Sequence, residues 1–348
     1  MLISRWQQAK ARKSDKERRP RLIRRALFLE RLEDRLAPAT AITVIVGPPG
    51  SGSLDGFLSA VNGTLNPGDG GNNPGTLSTG ALAGVGSGVN INIQAQNSIA
   101  FNDLGGTLSL QTGAANNARF AANSAAITFA NVANTLKTQG ASFTFFAGTN
   151  LTVSNLNTMG GDVTLFAGNG GAGNVQFESI LTNNSGNLTL LAGSTITQPS
   201  GNASGVNLYL SAGTGIGTSA LPLATTVSNV VAQNTTSGGI FISNTGALNI
   251  GFSGDLIQGV RDTGAATDPI TLSSSGTINV TRQVVANEII SAPGNVSVTE
   301  KSRLWPPANP GRVTVATGVS VPSMVASFDR RNSTSKGPVA ARPWFSTV

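Results

Sequence analysis

Along most of this chain, apolar residues come in pairs two positions apart: Ile91/Ile93, Leu108/Leu110, Phe143/Phe145, Val163/Leu165, Leu188/Leu190, Leu208/Leu210, Ile240/Ile242, Ile270/Leu272 and Val296/Val298. Alternation of this kind reads as a short strand with one face buried. Six positions beyond the second member another apolar residue follows, as Ile99, Leu151, Ile196, Ile216, Leu248, Ile278 or Leu304; after Leu110 and Leu165 it comes at ten, as Phe120 and Val175. A glycine stands three residues after the pair at Gly113, Gly148, Gly168, Gly193 and Gly213, and four after at Gly246 and Gly276. Glycine tolerates positive φ and lets the chain turn sharply. Strand, tight corner, strand and a variable return, with a unit of roughly 17 to 35 residues, describe the coil of a β-solenoid. A single coil cannot bury its apolar side, so stability is expected from stacking on neighbours. The fold class predicted is all-β, a parallel β-helix, over residues 76–299.

The pattern fails at both ends. In residues 1–40, Leu22, Ala26, Leu29, Leu32 and Leu36 recur at helical steps, which predicts a short amphipathic helix ending before Pro38. Arg24, Arg25, Glu30 and Arg31 interrupt the apolar run, so the segment is no ordinary secretory signal, and an export or sorting role is expected of it. Residues 41–75 read as a Gly/Pro-rich linker and solenoid start. Within them Gly47-Pro-Pro-Gly-Ser-Gly-Ser53 follows a β-branched run as a phosphate-binding loop would, but Ser53 and Leu54 stand where lysine and hydroxyl are required. Residues 300–348 are basic, proline-rich and irregular, and disorder is expected there. A frame change or truncation of a longer repeat array is one expectation for that tail. A sheet edge opened there would promote edge-to-edge self-association.

Composition narrows the chemistry. With no His and no Cys, the usual near-neutral acid/base, thiolate and zinc templates cannot be assembled. The formal charge of +7 is unevenly placed: residues 1–40 hold 12 Lys/Arg and 5 Asp/Glu, residues 41–299 hold 4 and 9, and residues 300–348 hold 7 and 2. The body is therefore mildly acidic, and no nucleic-acid partner is expected of it. Nor does the polar body suggest a membrane span.

The string FLERLEDRLAPAT, Phe28 to Thr40, resembles the Leu-Glu-x-Leu-Glu-Asp-Arg-x-x-Pro-Ala segment that opens many large exported repeat proteins of planctomycete-type bacteria. GDVTLFAG, GNLTLLAG and VNLYLSAG resemble the repeat units of filamentous-haemagglutinin-like surface proteins. These resemblances imply a right-handed helix and an extracellular or cell-surface location. They also imply a structural or adhesin-like role, with glycans or other cell-surface components as partners.

Candidate chemistry is sparse. Asp255, Arg261, Asp262 and Asp268 form the one local concentration of charge, which reads as solvated loop residues or, as an alternative, a carbohydrate-binding or polysaccharide-degrading cluster. GDGGNNPG, from Gly68, carries a single carboxylate. No catalytic, cofactor-binding or metal-ligating set is expected. The outward positions of the first strands read Asn92, Ser109, Thr144, Thr164, Thr189, Tyr209, Phe241, Thr271 and Ser297. Stacked in register, they would form a ladder spaced about 4.8 Å apart. Thr144, Thr164, Thr189, Tyr209, Phe241 and Thr271 are its candidate ligand-facing members.

Overall fold

Ile42, Ile99, Ile127, Leu151, Val175, Ile196, Ile216, Ile240 and Ile270 stand one above another in a single inward column, each paired with the next across a parallel ladder. Every one of them has 0% exposure. This is the repeat read from the sequence, realised as stacked coils. The computed structural model describes residues 41–291, except 61–62, 72, 169–170, 253–258, 265–267 and 286, and in addition 296–298 and 314–315. The helix expected over residues 22–36 and most of the expected disordered tail lie outside the described residues. One described part of the tail, Thr314–Val315, pairs in parallel with Ile289 and Ile290.

Each regular coil has three strands rather than two. One face holds Ile91–Ala95, Asn117–Ala122, Ser142–Ala147, Val163–Ala167 and Leu188–Ala192. A second holds Ser98–Phe101, Ile127–Phe129, Leu151–Val153 and Val175–Phe177. The return, expected to be a variable loop, is a third face built from Thr107–Gly113, Thr135–Gln139, Asn155–Asn157 and Ile180–Leu181. Periodicity missed this face because most of its strands bury a single apolar residue, as Leu136, Leu156 and Ile180 do. Beyond residue 200 two corners straighten: Ala203–Ala212 and Leu223–Asn234 run from the third face into the first without a break. Ile240–Asn244 likewise joins the second face to the third.

The pairs found in the sequence point inward wherever their side chains are described: Phe143, Phe145, Val163, Leu165, Leu208 and Leu210 are all 0% exposed. Burying one such side chain contributes about 1.5–3 kcal/mol. Of the expected corner glycines, Gly168 and Gly246 adopt positive φ, 83° and 98°, as expected, and others have a different cause. Gly193 and Gly213 do not adopt positive φ. A Cβ at Gly193 would overlap the carbonyl oxygen of Gly171 in the coil beneath, and one at Gly213 would overlap that of Gly193. Close stacking of the coils, rather than a left-handed turn, excludes a side chain there.

Residues 41–75 begin the solenoid, as expected, but their described part is folded structure rather than a linker. Ala41–Ile45 is a strand, and it sits between Gly75–Ser78 on one edge and Ser98–Phe101 on the other. Spatial order thus departs from chain order at this end of the solenoid. The helix Asp55–Ala60 follows the central strand Ala41–Ile45 and the helix Thr79–Ala83 follows the outer strand Gly75–Ser78, and Leu54, Leu58, Ala81 and Leu82 from this region are buried in the continuous core.

The glycine-rich stretch that resembled a phosphate loop is wrapped around Asp55. Its carboxylate accepts from the N–H of Gly50 at 2.7 Å and of Gly52 at 3.0 Å. It also accepts from the N–H of Ser78 at 2.7 Å and the Ser78 hydroxyl at 2.6 Å. Ser78 Oγ in turn accepts from the N–H of Ala81 and so caps the helix Thr79–Ala83. Burial pushes the Asp55 pKa up, but the Ser78 hydroxyl and the N–H groups of Ser78, Gly52 and Gly50 together hold it below the ordinary value of 3.8.

Candidate functional site: the outer face of the first strands

Alternation places every second side chain of the first-face strands outward, so stacking turns the sequence into a grid. Thr144, Thr164, Thr189 and Tyr209 occupy consecutive rungs in exact register, as the sequence led one to expect. Each is half-buried. Burial raises the Tyr209 phenol above its usual pKa.

Other members of the expected ladder fall elsewhere. Phe241 and Thr271 face each other in register, but on strands that continue the second face. Ser109 lies opposite Lys137 on the third face. Ser297 pairs with Asn279. Asn92 does belong to the row, separated from Thr144 by Arg119, whose Nη1 donates to Asn92 Oδ1 at 3.0 Å. The reason is the third strand: apolar pairs from different faces look alike in sequence, and only counting three strands per coil keeps them apart.

Two flanking columns were not anticipated. On one side runs a row of amides. Asn207 Nδ2 donates to Asn187 Oδ1 at 2.8 Å, and Asn229 Nδ2 to Asn207 Oδ1 at 2.8 Å. Asn249 continues the chain to Asn229 at 2.9 Å, and Asn279 to Asn249 at 2.9 Å. The separations of 20, 22, 20 and 30 residues are the lengths of the successive coils. Asp162 ends the row, its Oδ1 accepting from the N–H of Asn187 at 2.7 Å and from its amide at 3.1 Å. The sequence signal was there: an asparagine immediately before the apolar pair in GNLTL and VNLYL, and at the centre of LNI and INV.

On the other side stand Phe146, Phe166 and Leu191, register partners two positions beyond the threonines. The rings of Phe146 and Phe166 are stacked, with centroids 4.8 Å apart and planes inclined by 6°. They are signalled by the third apolar residue of FTFFAG, VTLFAG and LTLLAG. Stacking along the coil axis occupies the ring faces and turns the edges outward. The surface is therefore an apolar ridge beside a hydroxyl row and an amide row. An asparagine has two N–H donors and an acceptor oxygen with two lone pairs. Each interior member of the amide row therefore keeps hydrogen-bonding capacity for a partner outside.

Among the described residues the carboxylates are dispersed and engaged in local tasks. Asp69 accepts from the N–H of Asn66 at 2.7 Å, closing the turn that leads into the GDGGNNPG stretch. Asp103 accepts from Gly105 at 3.0 Å, and Glu178 from the Ser200 hydroxyl. Of the expected charge concentration, Arg261 and Asp262 are in the strand Gly259–Asp262, and Asp255 lies outside the described residues. Asp262 accepts from the N–H of Gly264 at 2.9 Å and from the amide of Asn234 at 3.1 Å. Burial raises its pKa, and the charge of Asp268 adds to this against the hydrogen bonds from Gly264 and Asn234. No group of three or more Asp, Glu, His or Cys with metal-holding geometry occurs among the described residues. No described helix is long and apolar enough to cross a membrane.

The chain matches no family model, no curated protein and no solved structure.

Proposed function

We propose that this protein is a non-catalytic structural or adhesin-like component of the cell surface, exported and built as a β-solenoid rod whose outer faces meet glycans or other envelope components. The observation that carries this reading is the grid of threonine hydroxyls, Tyr209 and linked asparagine amides on one outer face, with charge in these rows at Arg119 and Asp162. A rod of stacked coils repeats one chemical row many times, which suits weak, multivalent contact better than turnover of a substrate. The separate structural engagements of Asp55, Asp69, Asp103 and Glu178 fit a non-catalytic role as well. The resemblance of FLERLEDRLAPAT to exported repeat proteins supports the location.

Two measurements test the reading. Protease shaving and membrane-impermeant labelling of intact native cells should release or label the chain before any cytoplasmic marker; protection until lysis would reject it. A glycan array should give binding that drops when Thr164 and Thr189 are both replaced by lysine. Binding that ignores this change would move the contact surface elsewhere.

A further inference from the structure

The strand Ala41–Ile45 occupies an unusual position, because both of its edges are completed by strands that come later in the chain. Ile42 and Val44 pair with Gly75 and Leu77 on one side and with Ile99 and Phe101 on the other. Their side chains are fully buried. The strand thus fills a slot that the rest of the cap forms around it. Its segment, Ala41 to Val46, is uncharged and mostly β-branched, the composition of a chain that pairs readily when left open. The hinge that follows, Gly47-Pro48-Pro49-Gly50, is tied to the cap at its two ends. Gly47 O accepts from Gly80 N at 2.9 Å and from the Thr79 hydroxyl at 3.4 Å, Gly47 N donates to Thr79 Oγ1 at 3.3 Å, and Gly50 N donates to Asp55 at 2.7 Å.

From this arrangement we infer that Ala41–Ile45 is an exchangeable strand. Two copies of this chain link by each placing that strand in the other's slot between Gly75–Ser78 and Ser98–Phe101. Such an exchange reproduces every native strand contact and alters only the hinge, which is why swapping is a low-cost route to dimers. Asp55 is the latch. It ties the hinge end at Gly50 and Gly52 to Ser78 of the slot wall, and loosening it frees the hinge to extend. This goes beyond the surface-rod reading and does not depend on it.

The chain has no cysteine, so a clean cross-link test is available. Thr43 and Ala100 are register partners on the outward side. Single variants T43C and A100C, one isotopically labelled, are unfolded, mixed at high concentration, refolded and oxidised. The inference expects a disulfide joining position 43 of one copy to position 100 of the other, in a species of twice the monomer mass. It also expects D55N in both partners to raise that share several-fold. If the double variant T43C/A100C cross-links only within one chain and the mixture stays unlinked at every concentration, the exchange is overturned. Should D55N fail to fold by circular dichroism, the mixture with Asp55 intact decides the exchange. Folded D55N that leaves the share unchanged overturns the latch.

Discussion

The coils from Ile91 to Ala192 and those from Ala203 to Val280 share one fold but fill it differently. In the first group large rings occupy the interior: Phe101 stacks on Phe129 with centroids 4.1 Å apart, and Phe120 on Phe145 at 5.1 Å. Phe145 further touches Phe101, Phe129 and Phe143 at centroid distances of 6.4, 6.2 and 5.8 Å. In the second group the inward column of the third face changes character. It begins as Leu108, Leu136, Leu156 and Ile180, passes through Ala203, and ends as Thr225, Asn244 and Ser274. The polar members are as buried as the apolar ones, at 1%, 3% and 4% exposure. They are compensated internally. Asn244 Oδ1 accepts from Thr225 Oγ1 and from the N–H of Val227, both at 2.9 Å, and the Ser274 hydroxyl donates to Gly246 O. The lesson is that coil register is held by the parallel ladder, and this column accepts either apolar volume or hydrogen-bonded polar side chains.

The sharpest way to break this comparison is to remove volume where rings fill the core. Phe145→Ala should cost about 4 kcal/mol, whereas Leu272→Ala in the second group should cost about 3 kcal/mol. Because each coil touches only its neighbours, hydrogen exchange should localise each loss to its own group of coils; a uniform loss along the chain would contradict the comparison.

Next in size is the cap. Asp55→Ala leaves the N–H groups of Gly50, Gly52 and Ser78 without their acceptor, at about 3 kcal/mol in denaturant unfolding. The pH dependence has a defined sign. A carboxylate held below 3.8 in the folded state stabilises the cap fully above the unfolded value and loses that contribution as pH falls through the folded value. The gap between native protein and D55A should therefore close in acid, below pH 3.8, and stay constant at neutral pH.

A smaller effect tests the polar column. Asn244→Ala strands the Val227 N–H and the Thr225 hydroxyl, for about 2 kcal/mol. Replacing the pair together, as T225V with N244L, should restore most of that loss. If the double change is worse than N244A alone, the column is more than a substitute for apolar filling.

The smallest change concerns the outer amide row. Asn229→Ala breaks two of its hydrogen bonds in a half-exposed setting, and thermal unfolding should register less than about 1 kcal/mol. A larger loss would make that row a structural spine rather than a surface for partners.

Much of the solenoid was legible because burial imposes period two on any strand with one wet side. Val163/Leu165 and Leu188/Leu190 could point only one way. The third face was less legible, since one buried Leu156 between Asn155 and Asn157 leaves no alternation to count. Thr144, Thr164, Thr189 and Tyr209 were correctly aligned because their coils have equivalent corners. Phe241 was not, because Ile240–Asn244 serves two faces at once. Phe146 and Phe166 escaped notice as part of apolar runs whose middle residue faces out.

By itself the sequence determined that strands would be short, one-sided and stacked, because apolar side chains two apart cannot be hidden any other way without a partner layer. Tertiary structure decided which face each pair joined, and why the corners at Gly193 and Gly213 need glycine, since there a neighbouring carbonyl rather than a backbone torsion excludes a side chain. It also decided the place of Ala41–Ile45, whose two edges are completed by residues 75–78 and 98–101. Pairing between segments so far apart in the chain leaves no periodic trace, because it is fixed by which edges remain open when the coils close.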